Sequence, residues 1–142
     1  MKKVKVKYHV DIESLKQKPG SDFIDLRCAE PIDMKAGDYK QISLGVSIEL
    51  PKGYEAYIIP RSSTYRQHHI IMANSFALID NDYNGNNDIW KFPAIAMKDT
   101  QIKKGTRICQ FRIQKSQPKI KFVEVNALRN KDRKGLGSTG EA

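Results

Sequence analysis

Between Ile42 and Leu50 the chain alternates strictly, with Ile42, Leu44, Val46, Ile48 and Leu50 separated by Ser43, Gly45, Ser47 and Glu49. Successive side chains of an extended chain point to opposite faces, so this pattern predicts a strand with one face buried. Shorter runs at Val4 to Tyr8, Glu55 to Ile59, Ile89 to Met97, Ile108 to Ile113 and Ile120 to Val125 predict further strands. Turn signals separate them at Lys35-Ala36-Gly37-Asp38, Pro51-Lys52-Gly53 and Lys103-Lys104-Gly105. Many short strands at regular spacing predict an all-β sandwich or barrel. Helix is scarce. Asp11 to Lys18 has a plausible start but only Ile12 and Leu15 as apolar anchors before Pro19-Gly20, and Ser62 to His69 predicts one or two turns.

A chain of 142 residues is a single-domain length and can bury one core. Its formal charge of +9 attracts polyanions, and charge alone does not choose among nucleic acid, anionic membrane and phosphorylated small molecules. Aromatic residues are 8% of the chain and lie scattered in apolar runs, which argues against a base-stacking platform. Cys28 and Cys109 lack the close paired spacing of a metal or redox motif and read as buried thiols of a reducing cytosol. Met1 to Lys7 alternates lysine with valine and gives no continuous apolar region, so a soluble, cytoplasmic protein is expected. His68 and His69 would face opposite sides of a strand and read as loop residues rather than a chelating pair. From about Asn126 apolar residues thin out, which divides the chain into a β-barrel over residues 1–125 and a C-terminal arm over 126–142, a flexible tail that a bound anion or a neighbouring subunit would order.

Three segments are hard to explain as packing alone. In Asn74 to Gly85, apolar Leu78 and Ile79 run straight into Asp80, which would carry a carboxylate from a buried strand of a hairpin to the edge of a cleft, with Asn84-Gly85 as the turn. On its own this segment also reads as a polar hairpin tip. Pro60-Arg61-Ser62-Ser63 sets a bidentate cation and two hydroxyls after an apolar run, the outline of an anion site. The tail, Asp132 to Gly140, alternates glycines with groups that can donate hydrogen bonds.

Together the segments resemble the trimeric dUTPase family. Five motifs stand in that family's order: Asp25-Leu26-Arg27-Cys28-Ala29, Arg61-Ser62-Ser63, Ile79 to Gly85, Gly105 to Gln110, and Gly135 to Gly140. The resemblance implies a jelly-roll-like antiparallel barrel, a homotrimer with active sites at subunit boundaries, and Mg2+-assisted hydrolysis of dUTP to dUMP and pyrophosphate by water attacking the α-phosphorus. A phage or prophage-type bacterial member is one form it takes. By position, Asp80 matches the carboxylate that deprotonates that water, Tyr83 the ring under the deoxyribose, and Asn74 the uracil-contacting amide. Arg61, Ser62, Ser63 and Gln110 match phosphate contacts, and Asp25 matches the aspartate that touches magnesium through water. In the fifth motif Arg133, Leu136, Gly137, Ser138 and Thr139 would close over the triphosphate.

The chain departs from the family pattern at several places. Asp22 rivals Asp25 because the usual Ala-Gly-Tyr before that aspartate is missing. Ala77 stands where a glycine is usual, and Leu136 where a phenylalanine stacks on uracil. The position of the arginine that meets the γ-phosphate falls on Lys131, and Arg133 is preferred because a guanidinium grips phosphate bidentately. Three other readings remain open at this stage: a dCTP deaminase-like enzyme, a dUTPase-fold regulator that binds a partner protein in a nucleotide-dependent way, and a basic nucleic-acid-binding module.

Overall fold

A computed structural model describes residues 1–135 and contains eleven strands and one short helix. The strands are β1 (Lys5–Tyr8), β2 (Ile24–Arg27), β3 (Ile32–Met34), β4 (Tyr39–Ser43), β5 (Val46–Glu49) and β6 (Tyr54–Pro60). The helix α1 (Thr64–His68) follows, then β7 (Ile70–Met72), β8 (Ala77–Ile79), β9 (Lys91–Ala96), β10 (Thr100–Ile102) and β11 (Arg107–Lys115). They form sheets β2-β11-β6-β8, β4-β9-β7, β1-β5 and β3-β10. Every pairing is antiparallel. The jelly-roll-like all-β expectation therefore holds.

The apolar face of the alternating segment is buried as expected, but Gly45 and Ser47 on its other face are buried too, and the run is not continuous. Ile42, Leu44, Val46, Ile48 and Leu50 are all buried, yet Gly45 breaks the run into β4 and β5. Its φ of +71° favours glycine, and a Cβ there would lie 2.9 Å from Val10 Cγ2. The break lets β4 pair with β9 while β5 pairs with β1. All three predicted turns are present, closed by backbone bonds from Asp38 to Lys35, Tyr54 to Pro51 and Thr106 to Lys103.

The core gathers Trp90, Phe92, Phe111, Leu26, Ile58, Ile70 and Ile108, with Trp90 edge-on to Phe111 at 5.1 Å between centroids. Each large side chain removed from water contributes about 1.5–3 kcal/mol. Cys28 and Cys109 are buried free thiols, as expected, and Cys28 Sγ lies 3.1 Å from the Lys103 carbonyl. Burial pushes both thiols up, Cys109 strongly.

Three local expectations fail. Asp11 to Lys18 is not helical: two apolar anchors are too few, and its side chains serve tertiary contacts instead, with Glu13 bonded to Arg27 at 3.0 Å and the Leu15 amide to the Tyr8 hydroxyl at 2.8 Å. Ile120 to Val125 is not a strand. Residues 116–135 carry no helix or strand, and Phe122 and Val123 are 92% and 72% exposed, so the apolar run has no sheet to join. Asn74 to Gly85 is not one hairpin, because β8 pairs with β6 whereas β9 pairs with β4 and β7. The turns expected over Ser62 to His69 are present as α1, which ends at His68 with His69 as its left-handed C-cap at φ 58°. Among the described residues no helix is long and apolar enough to cross a membrane.

Candidate active site

β11 organises the first half of the site. Its neighbour β2 sets Asp25 opposite Gln110, and its other neighbour β6 runs out at Pro60, directly before Arg61. Asp25 Oδ1 meets Arg61 Nε at 3.2 Å, and Oδ2 meets Arg107 at 3.2 Å and Lys18 Nζ at 3.7 Å. Gln110 donates from Nε2 to the Pro60 carbonyl at 3.2 Å. A cavity of about 320 Å³ opens over these groups. Its lining carries five cations, Lys16, Lys18, Arg27, Arg61 and Arg107, against two carboxylates, Glu13 and Asp25. The hydrogen bond from Lys16 and the charge of Arg27 hold Glu13 below the ordinary carboxylate value. An excess of positive charge in a concave, part-buried setting suits a polyanion. Asp22, the rival to Asp25, is exposed and lies outside this lining.

The segment Arg61-Ser62-Ser63 leads into α1. Ser63 occupies the N-cap without a side-chain capping bond, and Ser62 is exposed, so neither hydroxyl is spent on the helix. Neither serine lines the cavity.

The second half lies in a separate cavity of about 310 Å³ lined by Asn74, Asp80 and Tyr83, with Tyr39, Gln41, Ile89, Trp90 and Lys91 among its walls. Asp80 is exposed at the end of β8, where buried Ile79 anchors the strand. Leu78, expected to be buried, is 47% exposed because it faces away from the core. The chain between β8 and β9 makes two turns, closed by Tyr83 to Asp80 and Asp88 to Gly85, rather than one tight Asn-Gly turn. Asn81 holds the first by donating to the carbonyls of Pro51 and Tyr54, both at 2.8 Å. Tyr83 donates its hydroxyl to the Ile89 carbonyl at 3.0 Å, and burial raises its phenol above the ordinary value.

The structure thus brings Asp25, Arg61 and Gln110 together, and separately Asn74, Asp80 and Tyr83; the two linings share no residue. Arg133 and Lys131 are exposed and line neither cavity. Leu136, Gly137, Ser138 and Thr139 lie outside the described residues. Sequence reasoning missed Lys18, Arg107 and Thr64. Strict alternation would set Arg107 on the face of Cys109 and opposite Gln110, and only the register shift between Arg107 and Cys109 brings it to the same cavity, so no local signal marked it; nor did one mark Lys18.

The fold and site place the chain among antiparallel β proteins with a cation-rich cavity beside β11 and a carboxylate-bearing loop elsewhere. The dUTPase family model matches residues 12–140, and the chain belongs to this family of dUTP diphosphatases. It is 49% identical over 138 residues to the SPbeta prophage-derived deoxyuridine 5'-triphosphate nucleotidohydrolase YosS of Bacillus subtilis, covering 96% of this chain and 97% of that one. A deoxyuridine 5'-triphosphate nucleotidohydrolase of Finegoldia magna is 37% identical over 127 residues, covering 85% of this chain and 86% of the other. Among solved structures, a dUTPase of Staphylococcus bacteriophage 80alpha with dUpNHpp superposes with a TM-score of 0.81 at 18% identity, over 99% of this chain and 100% of that chain. These likenesses do not favour the deaminase or the non-enzymatic regulator.

Proposed function

We propose that the chain hydrolyses dUTP to dUMP and pyrophosphate, with substrate lying across two half-sites. The observation that carries this reading is the division of labour between the cavities: one is rich in cations around Arg61, the other sets a carboxylate, an amide and a tyrosine around a mostly uncharged space. The first suits the triphosphate and the second the nucleoside and the attacking water.

Asp80 takes a proton from water as its oxygen bonds the α-phosphorus, while the bridging P–O bond to the β-phosphate breaks and pyrophosphate leaves with that oxygen. The Asn74 amide offers a donor and an acceptor to the pyrimidine edge. Tyr83, held by Ile89, supplies a fixed ring against the sugar where a 2′-hydroxyl would collide. Arg61, Gln110 and the hydroxyls of Ser62 and Ser63 meet the phosphates, with Arg107 and Lys18 adding charge to the same cavity.

Magnesium suits this donor set in one way. Both Asp25 oxygens already meet guanidinium groups, so Asp25 would reach the ion through a bound water while phosphate oxygens hold it directly. Among the described residues no group of three His, Cys, Asp or Glu offers an alternative cage. When bound, the ion neutralises charge on the phosphates. The dUTPase of S. aureus phage phi11 is described as coordinating a structural Mg(II) ion.

Two half-sites without a shared wall call for a second copy of the chain, and a homotrimer with composite sites is the assembly we infer. The arm 126–142, with Arg133 for the γ-phosphate and residues Leu136 to Thr139 over the nucleotide, closes the site on the barrel 1–125. The enzyme works in the cytoplasm on this reading. The test is pyrophosphate release from dUTP and magnesium, with the other deoxynucleoside triphosphates as controls. Asp80→Asn is expected to lose nearly all turnover, by about 10²-fold or more, while binding nucleotide as the parent does. An Asp80→Asn protein as fast as the parent would sink the mechanism; ammonia from dCTP, or nucleotide binding without product, would replace the function.

A further inference from the structure

Thr64 opens α1 and is 1% exposed, a polar side chain inside an apolar core. Its hydroxyl makes two bonds of 2.8 Å, accepting the Arg61 backbone N–H and donating to the Ile108 carbonyl. An amide can only donate and a carbonyl can only accept, so the hydroxyl is held in one orientation. The Thr64 amide returns a bond to the Arg61 carbonyl at 3.0 Å, closing the turn over Arg61, Ser62 and Ser63.

The partner carbonyl is available for a reason. β11 shifts register between Arg107 and Cys109, leaving Ile108 outside the pairing with β2, and pairing with β6 begins only at Cys109. A bulged residue leaves the ladder unpaired. The bulge also turns both Ile108 and Cys109 into the core, so the Ile108 carbonyl has no water to turn to. Thr64 therefore ties the Arg61 turn to the strand that carries Arg107 and Gln110. Arg107, Gln110 and Arg61 line one cavity, and Asp25 bridges the two arginines.

We propose that Thr64 is a positioning residue for the phosphate cavity, its hydroxyl setting the Arg61 turn against the β11 bulge so that the guanidinium is preorganised for a polyphosphate. This rests on the reading of that cavity as the phosphate half of a dUTP site. Thr64 touches no substrate; it acts through Arg61. Valine has the same shape without the hydroxyl, so Thr64→Val frees the turn while keeping the packing, and Thr64→Ser keeps both bonds.

Two measurements test this: KM and kcat for dUTP, and binding of inorganic tripolyphosphate by calorimetry, each with thermal melting. Thr64→Val is expected to weaken tripolyphosphate and raise the dUTP KM by about tenfold, the scale of one lost charge-assisted contact, while Thr64→Ser stays within about twofold. In an Arg61→Ala background, Thr64→Val is expected to add little further loss, because the group it positions is gone. A Thr64→Val protein that binds tripolyphosphate like the parent, or a loss undiminished without Arg61, overturns the inference. If Thr64→Val does not fold, Thr64→Cys, with its weaker hydrogen bonds, takes its place; binding as tight as that of Thr64→Ser overturns it equally. A parent that binds tripolyphosphate without cleaving dUTP refutes the enzymatic reading and leaves the tripolyphosphate comparison to decide on Thr64. A parent that does not bind tripolyphosphate overturns the inference directly.

Discussion

Asn81 sits next to Asp80, the residue we propose as the base, and holds the loop that carries it. Both of its amide protons go to the carbonyls of Pro51 and Tyr54, which fastens the loop carrying Asp80 to the turn before β6. Asn81→Ala leaves two part-buried carbonyls without that donor and is expected to cost about 1–3 kcal/mol, measured by urea denaturation, together with a fall in kcat larger than any change in KM. At this scale chemical type and motif order single out Asp25, Arg61, Gln110, Asn74, Asp80 and Tyr83 in the sequence, and each lines one of the two cavities. Asn81, Thr64 and Lys18 carry no such mark. Their contacts form only once the chain is folded: Asn81 meets Pro51 and Tyr54, Thr64 meets Ile108, and Lys18 reaches Asp25 over a turn.

At the scale of elements, periodicity located most strands, and its failures share a cause. The alternation from Ile42 to Leu50 finds the buried apolar face but misses the burial of Gly45 and Ser47 and is blind to the left-handed kink at Gly45 that redirects pairing. Asn84-Gly85 is competent for a tight turn, yet β8 and β9 find partners in different sheets, so tertiary pairing overrides the local signal. Ile120 to Val125 has strand composition and no neighbour. In α1, which was anticipated, His68 makes stability pH-dependent. Burial holds its imidazole below the ordinary 6.5, aided by the charges of Arg61 and His69 and opposed by its backbone bond to Arg107. The unfolded chain therefore takes up the proton first on acidification. Stability from this group is fully present above about 6.5 and is lost as the pH falls through the lowered folded value. Melting temperature followed from about pH 7.5 to pH 5 is expected to decline less steeply for His68→Gln than for the parent.

At the scale of the whole molecule, two cavities that share no residue make the proposed assembly testable. If each working site takes Arg61 from one copy and Asp80 from another, the Arg61→Ala and Asp80→Asn proteins, each inactive alone, complement when unfolded and reassembled together. Equal mixing leaves one intact half paired with the other at about a quarter of the sites, since each half is drawn independently. Recovery of about that share of parental dUTP hydrolysis is the expected result. Mixed oligomers without any recovery would put both halves in one chain.

The two sulfurs have a practical meaning as well. Alkylating and oxidising reagents attack an accessible thiolate, and burial both shields the sulfurs of Cys28 and Cys109 and disfavours their ionisation. Each molecule alkylated at sulfur on Cys28 or Cys109 therefore records an opening of the core, so the chain carries its own built-in counter of unfolding events.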